Sequence, residues 1–269
     1  MCLMNAKLRI ATFLAPNMLP VYEFLADAFG RELGSSAELI LGASFDQFGN
    51  GEIDAGFICG LPYVQLMRQV PAAVELLAAP VLRGDRYAGR PIYFSDVIVR
   101  RDSPVRTFAD LRGRSWAYND TESHSGYNLT RHHVVKIGET HGYFARMVEA
   151  GYHQQAIRMV AAGEVDAAAI DSQVLAIELR DHSHLAEELR VIMALGPSTI
   201  QPVVAARRLP VDVKAALRSI LLRLSDDRAA RSELGRGFID RFVPVTDEDY
   251  DDIREMLRSA ENAGFLMFA

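Results

Sequence analysis

Apolar positions along this chain fall into two alternating rhythms. Short unbroken apolar runs predict buried strands, and runs with apolar residues three and four apart predict helices. Residues 8–14 open with a strand. Val21, Phe24, Leu25, Ala28 and Phe29 then repeat at helical spacing, between Pro20 at a helix start and a stop at Gly34. Strands are predicted at 37–41, 54–59, 74–82, 90–100, 115–118, 163–171, 189–195 and 203–206. Helices are predicted at 44–48, 61–69, 127–136, 153–162, 172–180, 211–224, 226–234 and 246–263. Thr107 to Asp110 has the spacing of a capping box, while 142–152 follows neither rhythm.

The alternation argues for α/β architecture. One echo refines it: Gly-Glu-Ile-Asp-Ala at 51–55 returns as Gly-Glu-Val-Asp-Ala at 163–167, each time after a helix and before an all-apolar strand. Two copies of one layout are expected, hence two similar lobes, each a mainly parallel sheet flanked by helices. The expected division is 1–97 with 201–269 for lobe one and 98–200 for lobe two, with chain crossings near 97–99 and 199–202. In such folds ligands gather beyond the carboxyl ends of strands and between lobes.

Composition narrows the partners. The 269 residues are 49% hydrophobic with a net charge of −6, so neither nucleic acid nor an anionic membrane is favoured. An anionic ligand would be held by local donors. No stretch is long enough to span a membrane, and Met1 to Lys7 is too short for a signal peptide. Cys2 and Cys59 are not expected to pair. No histidine group has metal-ligand spacing, so neither a metal nor a cofactor is expected.

The chemistry concentrates at 119–129, Asn-Asp-Thr-Glu-Ser-His-Ser-Gly-Tyr-Asn-Leu. A strand turning through small hydroxyl residues into a helix leaves amide N–H groups converging on one spot, which suits an anion. The plainer alternative is that Ser123 or Ser125 only caps the helix. His153 starts a helix and can donate to an oxyanion. Asp171 ends an apolar strand, where it either faces a cleft or caps the helix from Ser172. Tyr63 and Tyr93 suit a ligand wall or a core equally. No Gly-x-Ser-x-Gly elbow supports a hydrolytic triad of Ser125, His153 and Asp171.

Several segments together resemble the phosphonate/phosphate/phosphite-type substrate-binding proteins of ABC transporters, with the type II periplasmic-binding-protein fold. They are 54–63 ending Gly-Leu-Pro-Tyr, 93–104, Phe-Ala-Asp-Leu-Arg-Gly at 108–113, Ser-His-Ser-Gly at 123–126, and 152–157 leading into 163–171. The resemblance implies a non-enzymatic protein that captures a small phosphonate-like oxyanion between two lobes, with an ABC permease as partner. It places Ser123, Ser125, Gly126 and His153 on the oxyanion, Tyr63 and Tyr93 on the walls, and Asp171 on a ligand amino group. His124 stands where that family has a hydroxyl residue, and it joins Tyr127 in the expected ligand-facing set. The implied compartment is periplasmic, or cytoplasmic if the chain as given is complete. The alternatives are a cytoplasmic enzyme of the same fold, acting on a small carboxylate or phosphate metabolite as in menaquinone or thiamine pathways, and a ligand sensor.

Overall fold

The computed structural model describes residues 7–267, so Cys2 lies outside the described residues. The chain divides into two units: Met1–Ile92 with Thr199–Tyr250, and Tyr93–Ser198 with Asp251–Ala269. This moves 93–97 and 251–269 from the expected lobe one to the second unit, and Thr199 and Ile200 to the first. The chain therefore crosses between units three times, not twice.

The first unit holds β1 (Leu8–Thr12), α1 (Leu19–Leu33), β2 (Ala37–Leu41), α2 (Asp46–Gly49), β3 (Ala55–Phe57), α3 (Gly60–Leu66) and β4 (Val74–Leu82). The second opens with β5 (Ile92–Arg100), β6 (Ser115–Tyr118), α4 (Leu129–Lys136), β7 (Arg146–Glu149), α5 (His153–Ala162), β8 (Ala167–Asp171), α6 (Ser172–Asp181), α7 (Leu185–Glu188) and β9 (Leu189–Thr199). The chain then returns to the first unit as β10 (Val203–Ala206), α8 (Val211–Arg223), α9 (Arg228–Arg236) and β11 (Ile239–Val243). It ends in the second unit with α10 (Asp251–Asn262).

One sheet runs β11-β4-β10-β3-β1-β2 and the other β7-β6-β8-β5-β9. Within them β10-β3-β1-β2 and β5-β8-β6-β7 share one pattern: an antiparallel pair followed by two parallel pairs. The sheets are thus mixed: β5 runs against β8, β10 against β3 and β4, and β11 against β4.

The sequence echo has a physical basis in that pattern. Asp54 Oδ2 accepts the Arg9 backbone N–H at 2.8 Å, at the start of β1. Asp166 Oδ2 accepts the Ser115 backbone N–H at 2.8 Å, at the start of β6. In each unit the echoed aspartate pins the strand it precedes to its parallel neighbour. Asp54 is further bound by Arg9 and Arg208, and these bonds hold its carboxyl below the usual range against the opposing effect of burial. Gly163, the first residue of the second copy, ends α5 at φ 74°, a backbone conformation glycine takes without strain.

The second unit's core joins Val97, Val99, Phe108, Trp116, Leu129, Phe144, Ala167 and Phe265. Trp116 stacks on Phe144 with centroids 4.6 Å apart. Phe265 is fully buried there, and Ile253, Leu257 and Ala260 form the buried stripe of α10. This buried apolar surface is why the C-terminal segment belongs to the second unit.

Candidate functional site

Strands β6, β7 and β8 are parallel, so their carboxyl ends share one edge of the second sheet. The loops leaving that edge carry residues 119–128, 150–153 and 171–172. Antiparallel β5 brings Ser95 opposite Asp171 at the same edge. Topology alone therefore gathers residues that lie far apart in the sequence.

After β6 the chain makes a tight turn. Asp120 Oδ1 accepts the Glu122 amide at 2.8 Å, and Ser123 takes extended geometry before the helical residues. The first helical turn, His124–Asn128, is a π turn: the Asn128 amide reaches back five residues to the Ser123 carbonyl at 3.0 Å. Such wide turns widen the helix start and recur at functional sites. Ser123 Oγ accepts the Gly126 N–H at 3.1 Å, so the capping alternative is realised at Ser123. The bond uses the oxygen and leaves its hydroxyl proton available.

Ser125 is turned toward the second loop. Its Oγ lies 3.0 Å from His153 Nε2, at the first residue of α5, and both side chains are buried. Ser95 Oγ donates to the Ser125 carbonyl at 2.7 Å and fixes this part of the turn. Burial pushes the His153 imidazole down to about 3, so it is neutral at physiological pH. His153 Nδ1 and Asn119 Oδ1 have no hydrogen-bond partner among the described residues. Both residues flank Gly126: a Cβ there would sit 2.0 Å from Asn119 Oδ1 and 3.2 Å from His153 Cε1. Gly126 is required for this close approach. Burial, with Glu122 and Glu149 nearby, holds the Asp120 carboxyl above its usual range. The donors here are neutral, and the local charge is acidic.

Other expected residues are placed differently. His124 faces inward: it is fully buried, with Nε2 2.7 Å from Ser198 Oγ and Nδ1 3.2 Å from Asn128 Nδ2. Both ring nitrogens are engaged within the protein. Tyr127 packs between Tyr118, with centroids 5.0 Å apart, and the Arg131 guanidinium 5.1 Å from its ring. Asp171 caps α6, with Oδ1 accepting the amides of Gln173 at 2.7 Å and Val174 at 3.3 Å. Among the described residues no triad is assembled, since Asp171 is a helix cap and no carboxylate partners His153 Nδ1. Tyr93 is fully buried on β5, its ring centroid 6.3 Å from that of His124. Tyr63 belongs to the first unit, where its hydroxyl donates to Asp247 Oδ1 at 2.6 Å and its ring packs on Tyr250.

Asn119, Asn128, Ser95, Ser198 and Asp252 are not among the expected site residues. Asn119 and Asn128 lie inside the singled-out stretch, and Ser95 shares a strand face with Tyr93. Ser198 and Asp252 carry no local signal. Among the described residues no cluster could hold a metal, and no helix is long and apolar enough to cross a membrane.

Comparison with solved structures places the whole chain in one fold. A binding-protein component of an ABC phosphonate transporter from Pseudomonas aeruginosa superposes with a TM-score of 0.82 at 17% identity, covering 97% of this chain and 89% of that one. PhnD1 from Prochlorococcus marinus, in complex with methylphosphonate, gives 0.79 at 17% identity over 95% and 98%. The periplasmic aliphatic sulphonate binding protein SsuA from Escherichia coli gives 0.64 at 16% identity over 96% and 87%. These likenesses identify the type II periplasmic-binding-protein fold. The family model for "ABC transporter, phosphonate, periplasmic substrate-binding protein" matches residues 10–250. With nearly all of its folded length inside that match, the chain belongs to the family of phosphonate ABC transporter periplasmic substrate-binding proteins.

Proposed function

We propose that the chain captures a small phosphonate, gripped where the 123–126 turn meets the start of α5, and delivers it unchanged to an ABC permease. The observation that carries this reading is the buried pair Ser125 Oγ–His153 Nε2 at 3.0 Å. In the neutral tautomer that carries its proton on Nε2, His153 donates to Ser125 Oγ and leaves the serine proton for a ligand oxygen. Ser123 adds a second hydroxyl, and the helix start adds amide N–H groups and the positive end of its dipole. Hydrogen bonds to an ionised oxyanion are about twice as strong as neutral ones, so a few neutral donors suffice without lysine or arginine.

The family match supports solute binding over an enzyme of the same fold, and the lack of a carboxylate on His153 Nδ1 supports it further. The methylphosphonate complex of the Prochlorococcus marinus protein makes methylphosphonate the first ligand to try. Calorimetric titration with methylphosphonate, aminoethylphosphonate, phosphite, phosphate and an alkylsulphonate tests the reading. Saturable binding of at least one phosphonate, weakened by Ser125→Ala, is expected. Heat-silent titrations across the panel would overturn it.

A further inference from the structure

His124 is the most deeply buried polar residue of the anion turn, yet the grip described above does not use it. Its surroundings form a continuous hydrogen-bonded chain. Arg131 Nη2 donates to Asn128 Oδ1 at 3.0 Å, which fixes the carboxamide orientation. Asn128 Nδ2 therefore donates to His124 Nδ1 at 3.2 Å. The imidazole proton must then sit on Nε2, which donates to Ser198 Oγ at 2.7 Å. Ser198 in turn donates to Asp252 Oδ2 at 2.9 Å. Every step has one allowed direction, and the bonds run from a guanidinium to a carboxylate, so they polarise one another.

The far end of this chain is not an arbitrary place. Ser198 is the last residue of the second unit before the chain leaves it, and Asp252 is the second residue after the chain comes back. Tyr93, whose ring neighbours that of His124, is the first residue at the remaining crossing. All three crossings thus meet the second unit around one imidazole.

We propose that His124 is a positioning residue that ties the 123–126 anion turn to the three places where the chain passes between units, so that an oxyanion held at Ser125 is felt at each crossing. This rests on the Ser125 reading for its ligand, but the coupling itself can be measured without one. The relay also gives His124 a reason to be histidine. Only a side chain with an acceptor and a donor on opposite edges bridges Asn128 to Ser198, and burial keeps it neutral.

Hydrogen exchange of the whole chain, read by mass spectrometry with and without methylphosphonate, tests the proposal. In the ligand-free protein, Ser198→Ala is expected to speed exchange of the 123–129 amides roughly tenfold, the loss of about one buried hydrogen bond. His124→Ala should speed 92–95 and 251–253 likewise, and the double variant should do no more than either alone. His124→Gln, which keeps a donor and an acceptor, should recover part of the effect and serves if the alanine variant does not fold. With methylphosphonate, protection at the crossings should appear in wild type and vanish in Ser198→Ala while residual binding persists. Additive effects in the double variant, or unchanged exchange at 123–129 in Ser198→Ala, would overturn the coupling. If wild type retains no phosphonate, the Ser125 reading fails, and the ligand-free arm still decides the relay. Imidazole nitrogen resonances provide a separate check: a proton found on His124 Nδ1 would contradict the relay.

Discussion

Ser125 Oγ and His153 Nε2 meet at 3.0 Å although one belongs to the helix after β6 and the other to the helix after β7. Parallel pairing of the two strands makes the meeting possible, and burial keeps the imidazole neutral. The histidine is therefore a neutral hydrogen-bond partner of the serine, not a cation that attracts the ligand. Ser125→Ala should weaken methylphosphonate binding roughly 10- to 100-fold, the usual range for losing a hydrogen bond to a charged group. His153→Ala should weaken it less, because the serine hydroxyl survives without its orienting partner. Titration calorimetry on both variants separates the two, and a larger loss for His153→Ala would assign the direct contact to the imidazole.

Acid stability should carry the mark of two buried histidines. His124 and His153 are both pushed down to about 3 from an ordinary 6.5, chiefly by burial. Between those values the unfolded chain binds protons that the folded chain refuses. Stability from these groups is complete above about pH 6.5 and is lost as pH falls toward 3, at a cost on the order of a few kcal/mol each. Urea unfolding at pH 7, 5.5 and 4 should show midpoints falling with pH. His153→Asn should flatten that fall by the equivalent of one proton. An unaltered slope in the variant would mean that His153 already titrates normally in the folded protein.

Gly126 should tolerate nothing larger unless Asn119 gives way. A methyl group at 126 would overlap Asn119 Oδ1, and moving that carboxamide breaks its 2.8 Å bond to Asp120 Oδ2. Gly126→Ala is expected to destabilise by about 1–3 kcal/mol, typical of overpacking. Adding Asn119→Ala should return much of the loss. Thermal unfolding of the single and double variants checks this, and independent, additive losses would show that the overlap is not the cause.

The echoed Gly-Glu-(Ile/Val)-Asp-Ala segment made the two-unit layout legible, because the same aspartate performs the same strand-pinning bond in both copies. The strand-to-helix turn at 123–126 was legible from its composition, and the helix start at His153 from its apolar spacing. The inward turn of His124 was not, since its partner Ser198 lies 74 residues away and has no local pattern. The allegiance of α10 was also hidden: an amphipathic stripe shows that a helix is buried, not which core buries it. Residues 142–152 escaped assignment because β7 is half-exposed on both faces and shows no alternation. β11 was missed for a similar reason, with Asp240 and Arg241 interrupting its apolar run.

Asp171 provides the sharpest separation between a ligand contact and a structural one. Its Oδ1 already receives two amide N–H groups at the start of α6, and Ser172 Oγ next to it accepts the Phe94 amide at 3.2 Å, joining the cap to β5. A capping role predicts that Asp171→Ala lowers stability by about 1 kcal/mol, and that Asp171→Asn or Asp171→Ser restores most of it, since any short side-chain oxygen can cap. A ligand-amine role predicts the reverse order. Aminoethylphosphonate would then lose affinity in Asp171→Asn as strongly as in Asp171→Ala, while methylphosphonate would be indifferent to both. Measuring unfolding and both affinities on the same variants decides between them. The geometry favours the cap for Oδ1, which already accepts two backbone N–H groups.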